Sequence, residues 1–394
     1  MKKSFLIFFC ILAGISAGAA DIFEFTPRIG SVTDSSFTVL FKTTRRSLCW
    51  LEVADMEGTN WYRSERSRYF EDICGRHFYG YYHHIEVKGL KPGTTYRYRV
   101  YGRDVLDDSD PYGMMYGRTY AWRPSWGRGE GNAPHLEVRT LDSRADTCRF
   151  SMVNDTHYND ARLANLLKRA PAADDFLVFN GDIASYCSSI DSVLKHTFGP
   201  VRELVSERPV FYARGNHEGR GGEWYRMPDE FPTPTGQFYY MFRQGPVAFV
   251  VLDAGEDKTD SSIEYSGTAA YDLYREEELR WLEAAVKDPS FVSAPWKVCV
   301  MHIPTLSDAD SWYSQQWISD NFTPVLNRAG LDLMLSGHHH RFIFSKAGEN
   351  GADYNILVNG NTERLDFEAS STGLDLRTFD ESGALTREMH FDRR

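Results

Sequence analysis

Five short stretches of the chain set metal-ligating side chains at the ends of apolar runs. They are Asn154-Asp155-Thr156-His157, Asn180-Gly181-Asp182, Gly215-Asn216-His217-Glu218, Met301-His302 and Gly337-His338-His339-His340. In extended backbone, residues i and i+2 project to the same side. Asp155 and His157 are therefore expected to address one point, and so are His338 and His340, with His339 turned away. Together Asp155, His157, Asp182, Asn216, His302, His338 and His340 offer four imidazoles, two carboxylates and one amide. That set is too large for one tetrahedral zinc. It suits two divalent metal ions sharing a carboxylate, and the mixed nitrogen and oxygen donors favour Mn, Fe or Zn over calcium. A lone histidine at a strand end is ordinarily a packed residue. His302 gains a ligand's role only as a member of the series.

The elements that must carry these residues are legible from Cys148 onward. "CRFSMVND", "DFLVFNGD", "PVFYARGNHE", "VAFVVLDAG", "WKVCVMHIP" and "LDLMLSGHHH" read as strands. "DARLANLLKRA", "SIDSVLKHTFGPVRELVSE", "YREEELRWLEAAVKD" and "FTPVLNRAG" read as helices between them. Such alternation implies βαβ units around a buried sheet. Ligands of such sheets bind beyond the carboxyl ends of the strands. Asp160 is expected to cap the helix beginning near Ala161, and Asp253 to brace a loop. Residues 22 to 102 differ: strand-length segments follow one another at short spacing. Residues 103 to 134 are rich in Gly, Arg, Tyr and Trp and read as a long loop. Tyr112, Tyr116, Trp122 and Trp126 argue that it is ordered, either over the site or between domains. "HLEVRTLD" then reads as a closing strand.

A chain of 394 residues is long enough for two or three domains. Its net charge of -11 argues against a nucleic-acid duplex as partner. The N-terminus has two lysines, an apolar run from Phe5 to Ile15 and small residues ending Ala17-Gly18-Ala19. Residues 1–19 therefore read as a signal peptide, and the mature protein is expected to be exported, periplasmic or secreted. The apolar run is too short for a stable membrane anchor. Cys49, Cys74, Cys148, Cys187 and Cys299 show no CxxC spacing. A Cys49–Cys74 bridge and a fully reduced, mostly buried set are both open.

The five blocks, in chain order, match the pattern D-x-H, G-D, G-N-H-[DE], H, G-H-x-H. Residues 145–394 thereby resemble the calcineurin-like metallophosphoesterases. The resemblance implies that Asp155, His157 and His340 hold one metal, that Asn216, His302 and His338 hold the other, and that Asp182 bridges them. It implies that His217 acts on the leaving group and that Glu218 braces its loop. The segment "GLKPGTTYRYRV" resembles the closing half of a fibronectin type III domain, with a tyrosine at the sheet corner. A fibronectin-like β-sandwich over 21–143, with the aromatic insert 103–134, followed by an α/β (α+β) β-sandwich flanked by helices, is similar to the layout of purple acid phosphatases. The chain departs from those enzymes where they read D-x-G, because His157 is present. Ser185 also stands where they place a tyrosine, with Tyr186 one position further. A colourless protein is expected.

The expected function is exported, dinuclear-metal-dependent hydrolysis of a small phosphorylated substrate by in-line attack of a bridging hydroxide. The alternatives are a phosphodiesterase or nucleotidase rather than a phosphomonoesterase, and a non-catalytic adhesion protein. An inert domain should have lost ligands, and here every ligand position is filled. Arg214 and Arg220 are candidate substrate grips. Arg341 reads as a surface residue. His83, His84, His135 and His196 match no motif.

Overall fold

Along Thr147–Val153, Phe150 and Met152 enter one apolar cluster and Val153 enters another. Along Val247–Leu252, Val247, Phe249 and Val251 enter the first cluster, and Ala248, Val250 and Leu252 a third. Alternation with both faces buried requires cover on both sides. The computed structural model, which describes residues 22–56, 61–123 and 135–393, supplies it in four layers.

The two inner layers are six-stranded sheets. In one, Val210–Ala213, Phe176–Asn180 and Thr147–Val153 run parallel, and Glu363–Ser370, Gly373–Asp380 and Leu385–Asp392 continue antiparallel. In the other, Val247–Leu252, Trp296–Met301, Leu333–Ser336 and Asn355–Val358 are parallel, with Tyr240–Gln244 and Ile343–Ser345 antiparallel at the edges. The sheets meet through aromatic rings: Phe249 packs edge-on to Phe150 at 5.6 Å and to Phe176 at 5.8 Å. Each fully buried ring contributes roughly 1.5–3 kcal/mol by leaving water. The helices Asp160–Leu167 and Ile190–Phe198 cover the first sheet through Leu163, Leu166, Val193 and Leu194. Tyr271–Ala285 and Tyr313–Ala329 cover the second through Leu282, Ile318 and Phe322. The loops that leave the carboxyl ends of the parallel strands carry all five motif blocks.

Local details correct the sequence reading. The helix expected through residue 207 stops at Phe198. Gly199–Val201 forms a 3-10 turn around Pro200, and a short helix resumes at Arg202–Val205. The cap near Ala161 is Asn159, whose side chain accepts from the Arg162 N–H at 3.0 Å. Asp160 is the first helical residue and pairs with His196 Nδ1 at 2.8 Å.

Seven strands before residue 140 join in one sheet. Its spine is Ser36–Asp55. The first half pairs with Arg28–Val32 and Tyr79–Lys88, the second with Ser67–Phe70 and Thr95–Asp107, and the register shifts between Lys42 and Ser47. Apolar residues of both halves, among them Phe37, Val39, Leu51, Val87 and Val100, fall in one buried cluster. The predicted loop at 103–134 is not irregular throughout. Thr95–Asp107 extends into it, and Met115–Ala121 returns antiparallel as a hairpin. The half-exposed, Gly- and Arg-bearing edge strand hides its period from the sequence. Trp122 packs against the core, and Trp126 lies outside the described residues, as do residues 1–19.

The expected closing strand is Leu136–Arg139. All five cysteines of the described residues are free thiols. Cys49 is buried against His83 and Cys74 is exposed, so the Cys49–Cys74 bridge is not formed. Among the described residues, no helix is long and apolar enough to cross a membrane.

Candidate metal centre

The ligand-type residues converge, but not by the extended geometry expected of them. The strands stop at Val153 and Ser336, before the ligands begin. Asp155, His157, Asp182, His338 and His340 have φ of 53°, 48°, 52°, 70° and 55°. With Tyr158, they make up six of the nine positive-φ non-glycine residues among those described. A left-handed conformation costs about 1–2 kcal/mol at such a residue, and its clustering at one rim points to a functional site. Two flanking glycines are required by close approach. A Cβ on Gly337 would stand 2.7 Å from Asp155 Oδ2, and one on Gly215 would overlap Asp182 Oδ1.

Asp155 Oδ1 lies 3.2 Å from His340 Nε2 and 3.9 Å from His157 Nε2. Asp182 Oδ2 lies 3.2 Å from His302 Nε2 and 3.9 Å from both His157 Nε2 and His217 Nε2. Two triplets, Asp155–His157–His340 and Asp182–His302–His338, each bring one ligand atom per residue within 4.8 Å of the others. A third, His157–Asp182–His217, joins them. Asp155 Oδ1, Asn216 Oδ1 and His302 Nε2 are buried and make no well-aligned hydrogen bond, although His340 Nε2 and Asp182 Oδ2 lie 3.2 Å from the first and the last. Buried polar atoms are normally satisfied. Three orphans aligned with the donor set therefore fit a pair of divalent cations.

Each donor is aimed by a neighbour. His302 Nδ1 donates to the Asn180 carbonyl at 2.7 Å, which turns Nε2, the nitrogen available to a metal, toward the carboxylates. Asp155 Oδ2 accepts from Asn154 Nδ2 at 2.7 Å and from the His338 N–H at 2.9 Å. Asp182 Oδ1 accepts from the His217 N–H at 3.0 Å. Glu218, fully buried, accepts from the N–H groups of Asp182, Ala184 and Gly215 at 3.0 Å each and from the Tyr212 hydroxyl at 2.7 Å. One carboxylate thus fastens the second motif loop to the third. Burial, with the charge of Asp182 alongside, pushes Glu218 up to about 7.

The field of the rim draws positive charge. Burial disfavours the His302 cation, yet Asp182 and Asp155 raise its pKa to about 10. Burial and then the charge of His302 lower His338 to about 4. Burial lowers His157, whereas the Asp155 carboxylate 3.2 Å away raises His340. Despite burial, the charge of His302 holds both Asp155 and Asp182 below the usual carboxylate range. Protons and metal ions therefore compete for the same imidazole nitrogens.

His217 sits beside this cluster with Nδ1 2.9 Å from the Ser185 carbonyl. Arg220 Nη1 is 3.4 Å from His217 Nε2, and Glu256 grips the same guanidinium at 2.6 and 2.8 Å. Arg220 thus reaches the site. Arg214 does not reach it: it is buried, ion-paired to Asp253 at 2.7 Å and stacked on Phe238 at 5.0 Å. Its place next to the motif in sequence misleads, because the chain turns it toward the end of the neighbouring sheet. Asp253 also binds the Gly255 N–H and the Tyr274 hydroxyl, the bracing role expected of it. His339 faces Gln315 at 3.3 Å, away from the ligands. His83, His84 and His135 pair with Thr43, Glu230 and Glu137, and Arg341 is exposed. The sequence reading named Asn154 in its first block without giving it a role, and did not name Glu256. Asn154 stands beside a ligand, and its burial against Asn359 is the only signal of its role.

The family model of calcineurin-like phosphoesterases matches residues 148–342, which span all five blocks. This region is a calcineurin-like phosphoesterase domain. Purple acid phosphatase 23 of Arabidopsis thaliana is 23% identical over 284 residues, covering 67% of this chain and 57% of that protein. Purple acid phosphatase 22 of the same plant is 24% identical over 290 residues, 70% of this chain and 56% of that protein. The chain thus spans somewhat more than half the length of these relatives. A purple acid phosphatase from yellow lupin (Lupinus luteus) seeds superimposes with a TM-score of 0.65 at 14% identity, over 93% of this chain and 74% of that one. The structure of PhoD superimposes with a TM-score of 0.61 at 12% identity, over 93% of this chain and 90% of that one. The calcineurin-like phosphoesterase domain thus shares the metallophosphoesterase fold of both.

Proposed function

We propose that the chain is a dinuclear-metal-dependent hydrolase of phosphate esters. The observation that carries this reading is the set of three orphaned, buried donor atoms, Asp155 Oδ1, Asn216 Oδ1 and His302 Nε2, on the rim of the phosphoesterase domain. In this reading Asp155, His157 and His340 hold one cation, Asn216, His302 and His338 hold the second, and Asp182 serves both. When bound, the pair supplies Lewis acidity toward water and the phosphate oxygens. The remaining work falls to the chain. His217 holds its Nδ1 proton on the Ser185 carbonyl, so Nε2 is the nitrogen that faces the site, and from Nε2, when protonated, a proton would pass to the departing oxygen. Arg220, positioned by Glu256, adds positive charge beside that oxygen. Glu218 holds the loops of Asp182 and His217 in register.

The finer features rest on sequence and local geometry. The domains are taken as 21–143 and 145–394. A fibronectin type III likeness for the first is supported by Tyr96, whose hydroxyl accepts the Lys91 N–H at 2.9 Å, as a corner tyrosine does. Export rests on the character of residues 1–19. A small phosphomonoester is the favoured substrate class. The test is hydrolysis of a phosphomonoester, a phosphodiester and a nucleotide by protein loaded in turn with Mn, Fe and Zn. Turnover that chelation abolishes is expected. Failure of every combination, in protein shown by elemental analysis to carry two ions, would overturn the reading. The loaded protein is expected to lack a strong visible band, because Ser185 replaces the tyrosine that would give one.

A further inference from the structure

A cavity of about 640 Å³ opens next to Arg220. Gly219, Arg220 and Gly221, which directly follow the motif, form one wall, and Arg220 Nη1 is also 3.4 Å from His217 Nε2. Its other walls are rings: Trp224, Phe238, Tyr265, Tyr271 and Tyr274. Trp224 is 43% exposed, an unusual state for a tryptophan beside an active centre. On the floor, the Arg214 guanidinium lies 5.0 Å from Phe238, 5.7 Å from Tyr271 and 5.6 Å from Tyr274. Arg214 is buried, and its Nε–H has no hydrogen-bond partner. The rings are held firmly. The Tyr271 hydroxyl closes on Gly219 so tightly that a Cβ there would stand 2.5 Å away, and the Tyr265 hydroxyl meets Glu256, the partner of Arg220.

We propose that this cavity receives the leaving group of the ester and that the leaving group is a nucleoside. The proposal rests on the phosphoesterase reading above and names its substrate class. A group protonated from His217 departs past Arg220, into this space. Aromatic walls stack on any planar ring, and each base so stacked gains appreciably. The volume falls in the range that buries a drug-sized molecule and is far larger than one phenyl ring fills. The reaction remains hydrolysis: the phosphorus–oxygen bond to the nucleoside breaks, water supplies the new oxygen, and the nucleoside leaves with its proton.

The experiment compares AMP with ribose 5-phosphate in the metal-loaded, full-length protein. Both release the same ribose 5′-hydroxyl, so they differ only in the base. We expect kcat/KM to be higher for AMP by roughly tenfold or more, the scale of one stacked base. Trp224→Ala should bring the ratio toward one, and Trp224→Phe should keep most of it. Equal values in the wild type, or a ratio indifferent to Trp224→Ala, would overturn this proposal alone. Turnover of neither ester would overturn this proposal, and the phosphoesterase reading would fall with it only if the phosphodiester also failed in the same preparation.

Discussion

The metal-binding rim and the junction between the N-terminal sheet and the phosphoesterase domain are both rich in buried charge, and they treat it in opposite ways. At the junction, every charge mentioned here has a partner from the other side. Arg28 pairs with Glu230 at 2.6 Å, and Lys42 and the Tyr82 hydroxyl both reach Asp191 at 2.6 Å. Arg226 stacks on Tyr82 at 4.3 Å, and the Tyr98 hydroxyl donates to the Ser206 carbonyl at 2.5 Å. At the rim, ligand atoms are left without partners and the backbone is held in strained conformations. Satisfied polar groups fix one part of the molecule to another. Unsatisfied ones are held ready for something that arrives.

The sharpest way to break this contrast is to remove a residue from the rim. Asp182→Ala should lose bound metal and at least roughly a thousandfold in kcat, the scale on which preorganised groups at a reacting centre count. His217→Ala should keep the metal, read by elemental analysis, and lose roughly 10²–10⁴-fold in turnover, as expected of a proton donor. If Asp182→Ala retained both metal and rate, the rim would be no more than a second junction.

The junction makes the converse prediction. Burial alone would raise the Glu230 carboxyl, but the hydrogen bond from His84 and the charge of Arg28 outweigh it and hold the pKa at about 2. The ordinary value is 4.5. A depressed folded-state pKa stabilises above the unfolded value and is lost as pH falls. The contribution, about 3 kcal/mol, should therefore be intact above pH 4.5 and disappear between about 4.5 and 2. Urea titrations of metal-free protein across that window should show a shallower acid limb for Glu230→Gln than for the wild type. Equal slopes would show that the pair is not a clasp. The smallest effect sharpens the comparison. Metal at a hundredfold excess over its Kd should add about 2.7 kcal/mol to unfolding. Asp155→Ala should abolish the gain, and Glu230→Gln should leave it intact.

The residues of the rim were legible because five polar blocks follow five apolar runs in order. The layers were legible because both faces of the parallel strands are apolar. The backbone at the ligands was not. Asp155 and His157 were expected to align through an extended chain, and they align through left-handed turns that no local preference of Asp or His dictates. Gly215 and Gly337 leave room for the carboxylates at those turns, a three-dimensional fit that local preference does not show. Arg214 failed as a substrate grip for the same reason: adjacency in sequence says nothing of which sheet a side chain meets one residue past a strand. The hairpin at Met115–Ala121 escaped notice because an edge strand need not alternate cleanly.

The strained turns also bear on how such a chain would age. At positions 155, 157, 182, 338 and 340 the conformation favours glycine or asparagine, and the donor set argues for the residues present. A copy relieved of its chemistry would shed strain with glycine at His157 or His340, whereas Asp155 and Asp182 also hold neighbouring N–H groups. Erosion of the centre would therefore proceed downhill, and its first mark would be glycine where a ligand had been.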